Sequence, residues 1–218
     1  MSRTWSVDAL CEAMLLYAVT DRAWLRGRSL VDCVRQAIAG GATFVQLREK
    51  EAPHGEIVAL GRELLHVCRD AGVPFVLDDE VEIAREIGAD GVHVGQDDMA
   101  CELARAALGP DAIVGVSAQT VEQALAAQAA GADYLGVGAL IPTATKPDAV
   151  DVTYDELCAI CTAVDIPVVG IGGLNARTIG QFAGSGAAGA AVVSAIFAAD
   201  DCECAARELR AICERTFK

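Results

Sequence analysis

The sequence predicts an α/β protein: a closed (β/α)8 barrel, one domain over 1–218, with a short helical extension over 1–14. Three observations carry that expectation. Short β-branched runs alternate with longer amphipathic stretches along the whole chain. Glycine recurs just past the helical stretches, in "AGGATF", "DAGVPF", "EIGADG", "AAGADY" and "GSGAAG", where a left-handed cap is needed. The resulting βα unit repeats about every 25 residues, with no low-complexity tract or linker to divide it. Eight such units fit a TIM barrel. An open doubly wound sheet would carry a glycine-rich turn after its first strand, whereas this first strand runs into "TDRAWLRGRS".

In chain order, a helix near 6–13 precedes the strand "LLYAVTD" (15–21) and a helix over 29–39. "FVQLRE" (44–49) leads to a helix over 55–71, "FVLDD" (75–79) to 81–87, and "GVHVG" (91–95) to 99–108. "IVGVSA" (113–118) precedes 120–130, and "YLGVGA" (134–139) precedes 153–164. "PVVGIGG" (167–173) precedes 175–183, and "GAAVVSAIF" (189–197) precedes 202–216.

Composition narrows the function. The chain is 53% hydrophobic but only 5% aromatic, with 21 glycines, a mix that suits buried parallel strands. A net charge of −14 argues against a nucleic-acid partner. No apolar run is long enough to span a bilayer, and Asp8 and Glu12 interrupt the N-terminal apolar stretch. These features read as a cytoplasmic protein without a membrane partner; a homo-oligomer stays open. Nine cysteines, an odd number, are expected to be reduced and structural, the "CAIC" and "CEC" spacings included.

Barrel chemistry sits where strands end, and the polar residues that interrupt apolar runs fall there. They are Thr20 and Asp21; Gln46, Arg48 and Lys50; Asp78 and Asp79; Gln96, Asp97 and Asp98; Ser117 and Gln119; Thr143, Thr145 and Lys146. Neighbouring strands lie about 4.8 Å apart, so carboxylates from the third and fourth strand ends can share a hard cation such as Mg²⁺. Helix capping is the competing reading, and Asp97 is left to it. Gln46, Arg48 and Lys50 share one strand face. With Lys146 and a metal they describe a diphosphate site; a structural ion pair of Arg48 with Glu49 or Glu51 is the alternative. Gly172 and Gly173 in "GIGGLNARTIG" admit backbone N–H groups to a ligand, and with "VVSAIF" form a second anion site. His93 is expected as a satisfied core histidine, His54 and His66 as loop and helix-face residues. No covalent nucleophile stands out.

The segments "YAVTD", "GGATFVQLREK", "GADGVHVGQDD", "GVSAQT", "GADYLGVGALIPTATK" and "VVGIGG" together resemble the thiamine-phosphate synthase family over about residues 15–215. The resemblance implies a Mg²⁺-dependent transferase. It joins 4-amino-5-hydroxymethyl-2-methylpyrimidine diphosphate to a thiazole phosphate through a dissociative pyrimidine-methyl cation. Its partners are thus small phosphorylated molecules. Carried over by motif, Asp79 and Asp98 are the metal ligands, and Arg48, Lys50, Ser117 and Lys146 the catalytic residues. Gln46, Glu49 and Asp78 join these four in substrate binding. Thr143 and Thr145, with Gly173 and the Val193–Ser194 backbone, approach the thiazole phosphate, and Ala144 and Gly172 are counted among the substrate-binding residues. "TATKPDAVDVT" would close as a lid. The family usually reads Asn-Asp where this chain has Asp78-Asp79, so the Asn role does not transfer to Asp78. A thiazole tautomerase shares the barrel but lacks the paired aspartates. An amino-acid-biosynthesis isomerase would need another acid/base pair, and a phosphate-ligand sensor would bind without turnover.

Overall fold

The structure, a computed structural model, describes residues 5–96, 99–141 and 151–218. Eight parallel strands close in sequence order, β8 pairing back onto β1. They are β1 Leu16–Val19, β2 Phe44–Leu47, β3 Phe75–Asp78, β4 Gly91–Val94, β5 Ile113–Ala118, β6 Tyr134–Val137, β7 Val168–Ile171 and β8 Gly189–Val192. The helices are α1 Val7–Ala13, α2 Leu30–Ala39, α3 His54–Ala71, α4 Val81–Ile87, α5 Cys101–Leu108, α6 Val121–Ala129, α7 Tyr154–Ala163, α8 Ser194–Phe197 and α9 Cys202–Phe217. Short 3₁₀ turns occupy Arg22–Trp24 and Ile179–Phe182. The barrel expected from the alternation of runs is therefore the observed architecture.

Strand periodicity sorts the apolar residues into two cores. Tyr17, Val19, Phe44, Val76, Ile113, Tyr134, Val169 and Ala191 face inward and pack together. Their strand neighbours, among them Leu16, Val45, Leu77, Val92, Val114 and Leu135, face outward against the helices. α1 is capped by Ser6, whose Oγ accepts from Ala9 N at 3.2 Å. It lays Leu10 and Met14 into the inner core, and so stoppers the base of the barrel. A Cβ on Gly189 would lie 2.1 Å from the Met14 carbonyl oxygen, so only glycine lets the α1–β1 connection pass this close.

Two expected elements differ. The helix expected over 175–183 is wound as turns with a 3₁₀ stretch over Ile179–Phe182. Asn175 Oδ1 accepts from Arg177 N at 2.9 Å, and Thr178 Oγ1 accepts from Asn175 N at 2.9 Å. These local side-chain-to-backbone bonds, with the Thr178 N–H and Ile179 N–H both donating to Asn175 O, close the segment as tight turns. The strand expected over 189–197 stops at Val192, and Ser194–Phe197 turns into α8. A short apolar run has no period that separates strand from buried helix. Among the described residues, no helix is long and apolar enough to cross a membrane.

Candidate active site at the carboxyl ends of the strands

The cationic wall begins on β2. Thr20 is buried, and its Oγ1 accepts from Arg48 N at 3.0 Å, fixing the backbone where β2 leaves the barrel. The Arg48 side chain then lies between two carboxylates. Its Nη1 is 3.6 Å from Asp21 Oδ2 and its Nε 3.5 Å from Asp78 Oδ2. Lys50 Nζ lies 3.2 Å from Asp78 Oδ2 and also contacts Asp79 Oδ2. Asp79 adopts a left-handed φ of 62°, and its N–H donates to His93 O at 2.8 Å, tying the ends of β3 and β4 together.

Electrostatically the wall is unbalanced, with Asp21, Asp78 and Asp79 set against Arg48 and Lys50. Burial pushes the Asp78 carboxyl above its usual value, and the neighbouring Asp79 charge adds to this. Lys50 and Arg48 pull the other way without cancelling it. For Lys50, burial pushes the ammonium down but is outweighed by the Asp79 hydrogen bond and the Asp78 and Asp79 charges, so the net shift is upward. One ammonium thus serves two carboxylates. The surplus negative charge, carried on hard oxygen donors, fits a further hard cation.

Glu49 turns aside from this wall. Its Oε1 accepts from Arg22 Nε at 2.6 Å, and its side chain is almost fully buried. The ion pair weighed for Arg48 with Glu49 or Glu51 is thus made by Arg22 with Glu49, while Arg48 pairs with Asp21 and Asp78.

Across the mouth, β5 carries Ser117. Its Oγ lies 3.0 Å from His93 Nε2, and its carbonyl accepts from Gln96 Nε2 at 2.7 Å. A Cβ at Gly136 would lie 3.0 Å from His93 Cε1, so the bare backbone of β6 makes room for the imidazole. Gln46 is buried inside β2, and its Nε2 donates to Tyr17 Oη at 3.0 Å.

On the far rim, Gly172 and Gly173 have φ of 96° and 65°. A Cβ at Gly173 would stand 2.7 Å from Ile141 O. Ile141 N donates to Gly172 O at 3.1 Å, so the loops after β6 and β7 are held side by side. Val193 is the N-cap of α8 and Ser194 its first residue. Asp97, Asp98, Thr143, Ala144, Thr145, Lys146 and most of the expected lid lie outside the described residues. Among the described residues no group of three or more His, Cys, Asp or Glu is arranged to hold a metal, and all nine cysteines are free thiols.

Sequence reading missed two things here. Asp21 is an ion partner of Arg48 as well as the cap of the following turn, where its Oδ1 accepts from Ala23 N at 2.9 Å. The inward-facing Tyr17 and Tyr134 also carry hydroxyls bonded to each other at 2.8 Å. Tyrosine at an inward strand position, where its hydroxyl needs a partner, was the available signal.

The chain is similar to known proteins over nearly its whole length. A family model described as thiamine monophosphate synthase matches residues 16–196. The thiamine-phosphate synthase of Chloroflexus aurantiacus is 49% identical over 198 residues, covering 90% of this chain and 91% of that protein. That of Moorella thermoacetica is 46% identical over 201 residues, covering 92% and 96%. Among solved structures, thiamine phosphate pyrophosphorylase from Pyrococcus furiosus superposes with a TM-score of 0.89 at 39% identity, covering 96% of this chain and all of that one.

Proposed function

Since the chain belongs to the thiamine monophosphate synthase family, we propose that its rim ionises a pyrimidine-methyl diphosphate and joins it to a thiazole phosphate, with Mg²⁺ required. The observation that carries this reading is the Arg48–Asp78–Lys50–Asp79 cluster where β2 and β3 end. The substrate's methylene C–O bond breaks, and the electron pair leaves with diphosphate. The thiazole nitrogen lone pair then forms the new C–N bond. The products are thiamine phosphate and diphosphate.

The chain's own groups work mainly by preorganised charge. Arg48 offers a planar fork to the diphosphate oxygens and Lys50 a point charge, with Lys146 as a third cation. The Ser117 hydroxyl faces the same mouth. Gln46 sits deeper, at the pyrimidine end. Gly172 and Gly173, with the start of α8, receive the thiazole phosphate. The excess of carboxylates over cations supports a metal: Asp79, with Asp98, would hold Mg²⁺, which when bound neutralises charge on the diphosphate oxygens.

Incubating the chain with both substrates, with and without Mg²⁺, tests this. Thiamine phosphate and diphosphate should accumulate in equal amounts with Mg²⁺ and not after chelation. Substrate binding without product would show a ligand sensor, and isomerisation of a thiazole phosphate alone would show a tautomerase.

A further inference from the structure

A row of hydrogen bonds crosses the barrel interior from β2 to β5. Gln46 Nε2 donates to Tyr17 Oη at 3.0 Å, and Tyr17 Oη lies 2.8 Å from Tyr134 Oη. Tyr134 Oη lies 3.0 Å from His93 Nδ1, and His93 Nε2 lies 3.0 Å from Ser117 Oγ. Each phenol has one proton to give. Tyr17 accepts from Gln46, so its proton goes to Tyr134. Tyr134 accepts that bond, so its own proton goes to His93 Nδ1. Nδ1 is then an acceptor, and the ring carries its proton on Nε2, pointing at Ser117 Oγ. No buried polar side-chain atom among the described residues lacks a partner, and within the contacts of this row any other arrangement with Gln46 donating would leave a phenol proton unpaired. Burial pushes both phenols up, Tyr17 well above its ordinary range, so the hydroxyls keep their protons.

We propose that His93 and Tyr134 are positioning residues: the row holds the imidazole proton on Nε2 and thereby commits the Ser117 hydroxyl to donate its hydrogen to the substrate's diphosphate. This rests on the reading of the rim as a diphosphate site. Diphosphate oxygens are acceptors, so a serine that spent its hydrogen on His93 would offer them only lone pairs. At the other end, Gln46 has used one N–H and retains its carbonyl oxygen, an acceptor suited to the amino group of an aminopyrimidine. The row is thus polar end to end, acceptor at Gln46 and donor at Ser117. Its polarity matches a substrate with an amino group at one end and a diphosphate at the other.

Two measurements on the full chain test this. With ¹⁵N-labelled histidine, long-range ¹H–¹⁵N correlation reports which ring nitrogen bears the proton. His93 is assigned by the signal lost in His93→Gln. An Nε2–H ring is expected, and an Nδ1–H ring overturns the proposal, whether or not any variant folds. Second, Tyr134→Phe should lower kcat/KM for the pyrimidine diphosphate about tenfold, the scale of one hydrogen bond. In a Ser117→Ala background the same change should cost less than about twofold. Equal losses in both backgrounds overturn the coupling. A wild-type chain that makes no thiamine phosphate overturns the reading of the rim and the donation with it, whereas product formation with additive losses overturns the row alone.

Discussion

Asp78 is where a single residue decides most. The carboxylate is buried beside Asp79, and both forces outweigh the pull of Lys50 and Arg48, so its pKa lies above the usual 3.8. A raised folded-state pKa stabilises the protein below the ordinary value and loses that contribution as pH rises through the shifted one. Asp78→Asn resembles the protonated form. Without divalent cations it should therefore melt above the wild type at neutral pH, and the gap should close below pH 3.8; thermal melts across this range check it. The amide oxygen can still accept from Lys50, so turnover and half-saturating Mg²⁺ should stay within about threefold. A tenfold shift in Mg²⁺ requirement would place Asp78 among the metal ligands. Arg48 gives the complementary result. Arg48→Ala should cut turnover at least ~10²-fold, the effect of losing one preorganised contact, with the folded fraction unchanged by circular dichroism. A lower melting temperature with intact activity per folded molecule would make the residue structural.

Elements set how precisely those residues meet. β3 and β4 are in register with Asp78 opposite His93, and the Asp79 N–H to His93 O bond continues the pairing into the rim. The tandem carboxylates were legible in the sequence because apolar runs ended on them at regular spacing. The row from Gln46 to Ser117 was not, because its members lie on five different strands and only barrel closure brings them into line. The rim beyond β7 was legible in part. "GIGG" marked the turn, but nothing in its spacing showed that Asn175 and Thr178 would bond locally to the backbone and hold the segment as turns. At Gly173, φ of 65° disfavours any side chain by about 1–2 kcal/mol, and a Cβ would lie 2.7 Å from Ile141 O. Gly173→Ala should lower the melting temperature. It should also raise KM for the thiazole phosphate at least ~10-fold, leaving that for the pyrimidine diphosphate within about threefold. Steady-state kinetics with each substrate varied in turn separates the two.

At the scale of the molecule, burial also governs the thiols. Cys33, Cys68, Cys101, Cys202 and Cys213 are buried, and only Cys11 and Cys204 are exposed. Burial pushes Cys68, Cys161 and Cys213 up to about 12, which leaves almost no reactive thiolate at neutral pH. Iodoacetamide on the native chain should therefore label Cys204 and Cys11 first. Cys11 is slowed by desolvation and by the Asp8 and Glu12 charges. All nine should label after denaturation, as peptide mass mapping would show. Early modification of Cys68 or Cys213 would mean that the helix layer opens on its own.

The stoppered base has a consequence for traffic. Among the described residues, Leu10 and Met14 fill the floor and the strands form an unbroken wall, so the barrel is a vessel that opens at the carboxyl ends of its strands. Gln46 lies within the strand layer, while Gly173 stands past the end of β7. Under the proposed function, the guest that reaches down to Gln46 would be seated beneath the one that rests on Gly173. Under that reading such a shape would form a queue: the deeper seat would fill before the shallower one covers it, and clear only after the shallower one is vacated.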